Sequence, residues 1–214
     1  QQPSFTPLAA TDKGWLVTGS KFSPNGELEE YNDTNALYLY DPETREFSDK
    51  LYQDPNYDVG GFTGTCRNAS GGAGVDYDTR KLLYVTYEAQ EPVKIYFDDE
   101  IAEIYNGLDA VFPNEWVSVV TRDKERNKMV IRVSSPSNPG VYYFYNRQAS
   151  QLIPLYTYAP WIDRKIMAET IPVKYPARDG LVIPAYLTLT KKKTDKNYMI
   201  VLPHGGPNTK QRIG

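Results

Sequence analysis

Apolar positions along the chain fall in short runs rich in Tyr, Val, Ile and Leu, separated by clusters of Asp, Asn, Gly and Pro. That pattern predicts strands joined by turns. A first set of strands is expected over residues 15–18, 36–40 and 47–52, with Asp41-Pro42-Glu43-Thr44 as a reversal between the last two. A Gly-rich connection over residues 71–76 leads to a second set at 81–87, 92–97 and 103–105. The third set covers 116–121, 129–133, 141–145 and 151–156. No long helical periodicity stands out.

The sets resemble one another. Tyr77-Asp78-Thr79-Arg80-Lys81 precedes one strand much as Thr121-Arg122-Asp123-Lys124-Glu125-Arg126 precedes another. The offset of about 45 residues is near the period of a propeller blade. Residues 1–164 then hold about three four-stranded blades, whereas a ring closes with about four to eight. The expected fold is therefore mainly β: a partial β-propeller with open edges that invite self-association or pairing with further sequence. A generic antiparallel sandwich is the plainer alternative.

The last fifty residues differ in character. Two strands flank Asp179-Gly180, a hairpin signal because Gly takes the positive φ the reversal needs. Pro172 and Pro184 each lack a ladder donor, which places them at edges, starts or bulges. Tyr198-Met199-Ile200-Val201-Leu202 then reads as a strand buried on both faces, running into His204-Gly205-Gly206-Pro207. Charge steps at the same place. Residues 1–164 carry 15 basic and 24 acidic side chains, net −9, and residues 165–214 carry 9 and 3, net +6. Two units are expected, 1–164 and 165–214.

Composition narrows the function. With 214 residues, 40% apolar and 24% charged, the chain can build a core. No apolar stretch approaches the ~20 residues that cross a bilayer, so no membrane partner is expected. A net charge of −3 gives no reason to expect nucleic acid, and the short run Lys191, Lys192, Lys193, Lys196 reads as a solvated loop. The single Cys66 excludes an intrachain disulfide. No signal-peptide pattern is visible from Gln1, whether or not one was removed, and the compartment, cytoplasmic or periplasmic/secreted, stays open. No cofactor is expected and no metal site is assigned: Asp98-Asp99-Glu100 reads as a solvated turn without calcium-loop spacing. Asn32-Asp33-Thr34 and Asn68-Ala69-Ser70 fit the glycosylation acceptor pattern, which has meaning only in a secreted eukaryotic protein. Tyr142, Tyr143 and Tyr145 alternate between two strand faces, so packing is their expected use.

The motif with chemical content is His204-Gly205-Gly206-Pro207, where a glycine pair after a buried strand lets backbone amides approach a developing oxyanion. A plain tight turn is its bland reading. The succession from Asn138-Pro139-Gly140-Val141-Tyr142-Tyr143-Phe144-Tyr145 through Leu152-Ile153-Pro154-Leu155 and Pro160-Trp161-Ile162-Asp163 continues in Ala177-Arg178-Asp179-Gly180-Leu181-Val182-Ile183-Pro184-Ala185-Tyr186. It ends at Val201-Leu202-Pro203-His204-Gly205-Gly206-Pro207. In that order these elements resemble the prolyl oligopeptidase (S9) family of serine peptidases, most closely the acylaminoacyl-peptidase-like branch.

The resemblance implies a propeller that restricts access, joined to an α/β-hydrolase domain that cleaves peptides through an acyl-enzyme. It implies Gly205 and Gly206 in the oxyanion loop, with His204 and Pro207 orienting that loop. The sequence holds no Gly-x-Ser-x-Gly, and the hydrolase order places nucleophile, acid and base after such a loop. His204, the only histidine, stands at the wrong point to be the base. The chain is thus expected to be an inactive fragment of a peptidase whose partners are a peptide substrate and the rest of the hydrolase domain. A stand-alone propeller-like binding or scaffold module is the alternative.

Overall fold

A computed structural model describes residues 5–60, 72–191 and 198–203. Among them lie fifteen strands and one helix, in two compact units that divide after Glu103. All strand pairing is antiparallel, and no sheet closes on itself.

The first unit opens with β1 (Phe5–Thr11), β2 (Gly14–Gly19), the small hairpin β3 (Lys21–Phe22) and β4 (Leu28–Glu30), β5 (Ala36–Asp41) and β6 (Glu46–Phe47). Strands β1-β2-β5-β6 form one four-stranded sheet. Next come β7 (Gly72–Val75), β8 (Leu82–Glu88) and β9 (Pro92–Tyr96), a three-stranded meander. Alternation along β8 buries Leu83, Val85 and Tyr87 in turn. Leu16 and Leu37 of the first sheet, Val59, and Val85 and Tyr87 of the second share one core. Val17, Ala36 and Tyr38 form another, covered by Phe5, Tyr40 and Phe47.

Helix α1 (Asp99–Val111) leads into the second unit. There β10 (Trp116–Arg122), β11 (Lys128–Ser135), β12 (Asn138–Asn146) and β13 (Gln151–Thr157) make an uninterrupted four-stranded meander. Its core joins Ile104 and Leu108 of α1 to Val117, Met129, Ile131 and Val133. Tyr143 and Tyr145 face that core, while Tyr142 lies against Tyr156 with ring centroids 6.0 Å apart. The expected division of these tyrosines between two faces, and their use in packing, hold. The last strands, β14 (Thr170–Pro176) and β15 (Val182–Thr188), form a separate two-stranded sheet.

Four expectations need correction. Residues 103–105 belong to α1, whose buried Ile101, Ile104, Tyr105 and Leu108 repeat at helical spacing. Asp98-Asp99-Glu100 is the start of that helix. Asp98 accepts the Ile101 amide at 3.0 Å and the Lys81 ammonium at 2.7 Å, as an N-cap, and Asp99 and Glu100 occupy the first turn. Residues 72–75 form β7, where bare glycine fits beneath the Tyr84 ring: a Cβ on Gly74 would come within 2.3 Å of it. The strand expected over 47–52 is interrupted after Phe47, where the Ser48 hydroxyl accepts the Leu39 amide at 2.9 Å, and pairing with β5 resumes only as the isolated Leu37↔Tyr52 bridge.

Candidate functional site

His204, Gly205, Gly206 and Pro207 lie outside the described residues, as do Cys66 and Asn68. The segments leading toward that loop are described. Hairpin β14–β15 pairs from Thr170↔Thr188 to Pro176↔Val182. Its turn is closed by the Ala177 amide donating to the Leu181 carbonyl at 2.7 Å and the Leu181 amide donating to Asp179 at 3.1 Å. Gly180 takes φ +87°, the conformation for which glycine was expected there. Tyr198, Met199, Ile200, Val201 and Leu202 form no strand, and each is 73–92% exposed. A strand with two apolar faces is expected there, and without covering helices it is expected to be exposed, disordered or paired with another copy; the residues are exposed and form no strand.

Two polar networks in the first unit had no signal in the sequence, because each is assembled from different strands and loops. In one, the Tyr38 hydroxyl, on a fully buried residue, donates to the Glu30 carboxylate at 2.9 Å and accepts the Asn32 amide at 3.0 Å. Lys50 closes the group as an ion pair with Glu30. Burial first, and then the Glu30 carboxylate, push the Tyr38 hydroxyl up to about 12 against the opposing Asn32 donor. The Lys50 contact chiefly holds Glu30 below the usual carboxylate range.

In the other network, the Tyr87 hydroxyl donates to Asp54 Oδ2 at 2.7 Å and lies 3.1 Å from the Tyr52 hydroxyl. Asp54 Oδ1 accepts the Asn56 and Tyr57 amides at 2.8 and 3.1 Å. Partial burial works against its ionisation, but these donors prevail and Asp54 lies low. Burial, then the Tyr52 and Asp54 contacts, raise Tyr87. Every carboxylate oxygen of Asp54 is thereby committed to protein donors, and the arrangement pins a loop instead of presenting a base.

Other sequence features resolve similarly. The Asn32 side-chain amide of the glycosylation pattern also donates to the Gly19 carbonyl at 3.2 Å, and Thr34 donates to the Asp54 carbonyl at 2.5 Å, so both acceptor-pattern side chains are engaged. Among the described residues, no group of three or more His, Cys, Asp or Glu is placed to hold a metal ion.

No family model matches the chain. It is similar to dipeptidyl aminopeptidase BIII of Pseudoxanthomonas mexicana, 28% identical over 152 residues. The match covers 67% of this chain and 22% of that protein, so the chain spans about a fifth of the length of the curated relative it matches. The similarity supports a peptidase-related origin.

Proposed function

We propose that these residues are part of a serine peptidase of the prolyl oligopeptidase (S9) family, in its acylaminoacyl-peptidase-like branch. Residues 1–164 contribute about three propeller blades that restrict substrate access, and residues 165–214 the opening strands of an α/β-hydrolase domain. Tyr198–Leu202 becomes an inner strand of that sheet once helices cover it, which accounts for five consecutive apolar residues left exposed. Backbone amides of Gly205 and Gly206 then face the oxyanion of the tetrahedral intermediate, with His204 and Pro207 orienting the loop. A donor of this kind is worth ~3 to 4 kcal/mol in the transition state.

The observation that carries the reading is the ordered run of motifs from Asn138 to Pro207, taken with the similarity to a dipeptidyl aminopeptidase. Without a nucleophile elbow in its sequence, the 214-residue chain does not hydrolyse peptides by itself. The test is to challenge the purified chain with a serine-reactive fluorophosphonate probe, acyl-peptides and dipeptidyl aryl amides, and in parallel to read the coding frame past Gly214. The expected result is no labelling or turnover by these residues alone, and a downstream Gly-x-Ser-x-Gly followed by Asp and His. Labelling of the chain, or a downstream frame without that elbow, overturns the proposal.

A further inference from the structure

Glu115 leaves the end of α1 through the turn Phe112-Pro113-Asn114, where Asn114 takes φ 62° and the Glu115 amide donates to the Phe112 carbonyl at 3.2 Å. Its two carboxylate oxygens go different ways. Oε2 accepts from Asn138 Nδ2 at 3.1 Å, and Oε1 accepts from Arg164 Nη2 in an ion pair. Asn138 is 1% exposed and fixed on its own account: its amide also donates to the Val133 carbonyl at 3.3 Å and its oxygen accepts the Gly140 amide at 3.2 Å. Arg164 is half exposed. One carboxylate therefore joins a buried, hydrogen-bonded anchor at the start of β12 to a half-exposed cation on the stretch after β13.

Among the described residues, that stretch has few other attachments. The Tyr158 amide donates to the Gly140 carbonyl at 2.8 Å and Ala159 is buried, but beyond them Trp161 and Ile166 are 79% and 75% exposed. Two local turns, Ile162 to Ala159 and Ile166 to Asp163, shape the backbone without attaching it to the meander. Lys191 reaches the Lys165 carbonyl at 3.3 Å from a neighbouring exposed segment.

We propose that Glu115 is a latch: its carboxylate, braced on Asn138, holds residues 160–166 to the β10–β13 meander through Arg164 and so sets the direction in which the chain leaves β13. The inference concerns the segment that follows β13 and does not rest on the peptidase reading, since its test involves no activity.

The experiment measures amide hydrogen exchange by mass spectrometry on the whole chain with Glu115→Gln, Arg164→Gln and both. Glu115→Gln keeps an oxygen for Asn138 and removes the charge that Arg164 needs. Each single variant is expected to speed exchange in residues 160–167 by about two- to five-fold, the scale of a partly exposed ion pair. The double variant is expected to match the singles, because both remove one interaction. High salt, which screens the pair, is expected to speed exchange in the unaltered chain and leave the variants unmoved. Exchange over the β11–β12 turn reports whether the fold survives. An unchanged rate in both single variants with that turn intact overturns the latch, as do additive effects or salt acting equally on all forms.

Discussion

Replacing Tyr87 by Phe removes one oxygen from the core of the first unit and leaves the ring where it is. Tyr87 is 3% exposed and packed with Leu16, Leu37, Val59 and Val85, so the substitution opens no cavity of consequence and its cost is that of the hydroxyl. The hydroxyl donates to the Asp54 carboxylate at 2.7 Å and pairs with the Tyr52 hydroxyl at 3.1 Å. A hydrogen bond to a charged group contributes about 1.5–3 kcal/mol. Asp54 keeps its two amide donors and is half-buried, so water can reach the vacated oxygen, which brings the expected loss to the lower end, about 1.5–2 kcal/mol. Tyr52→Phe breaks only the neutral contact and costs about 0.5–1 kcal/mol. Urea unfolding at pH 7, with midpoint and slope fitted together, measures both. In a cycle with Asp54→Asn, Tyr87→Phe is expected to couple by about 1 kcal/mol. A Tyr87→Phe loss below about 0.5 kcal/mol at unchanged slope, or no coupling to Asp54, would refute the assignment of the loop pin to this contact.

Gly14→Ala is expected to cost about 1–3 kcal/mol and lower the melting temperature by several degrees, because φ is +119° and the new Cβ would stand 2.9 Å from the Tyr40 carbonyl oxygen, which the β2–β5 ladder holds in place. Arg80→Gly works in the opposite direction: the exposed Arg80 is held at φ 59°, and relief of that strain, less the entropy glycine adds to the unfolded chain, is expected to stabilise by about 0.5–1 kcal/mol in the same melts. At high pH, Tyr38 and Tyr87 are raised in the fold, so unfolded chains lose these protons first, from about 10 upward. Stability that is complete below pH ~10 is therefore expected to fall as pH rises toward 12, and Tyr38→Phe should flatten that decline in urea midpoints taken across the range.

The strands at β2, β5, β8 and β10 to β13 were legible because local chemistry decides them: β-branched and aromatic residues alternate between turn-forming clusters. The β14–β15 hairpin was legible from Asp179-Gly180 for the same reason. Helix α1 was hidden because Ile101, Ile104, Tyr105 and Leu108 declare their period only over two turns. Strand β7 was hidden because its Gly74 answers to a Tyr84 ring supplied by another strand. The hydroxyl and carboxylate networks were beyond local reading altogether: Asp54 and Tyr87 stand 33 positions apart, Tyr52 and Tyr87 35. Of the candidate site, the sequence names His204, Gly205, Gly206 and Pro207, which lie outside the described residues.

What repeats most faithfully in the molecule is a turn. Asp41 accepts the amides of Glu43 and Thr44 and is followed by Arg45 at φ 62°. Asp76 accepts those of Asp78 and Thr79 before Arg80 at φ 59°, Asp123 those of Asn127 and Lys128 around Arg126 at φ 57°, and Asn146 that of Ala149 before Ser150 at φ 49°. A short carboxylate or amide side chain takes up backbone donors, and one residue in the left-handed region lets the next strand return with the right twist. These turns join different strand pairs: β5 to β6, β7 to β8, β10 to β11 and β12 to β13. The turns share a short polar side chain and one left-handed residue but differ in their donors, which stand two and three positions after Asp41 and Asp76 and four and five after Asp123, so reversal at a polar cluster accounts for the likeness between Asp76–Arg80 and Asp123–Arg126 without any ring.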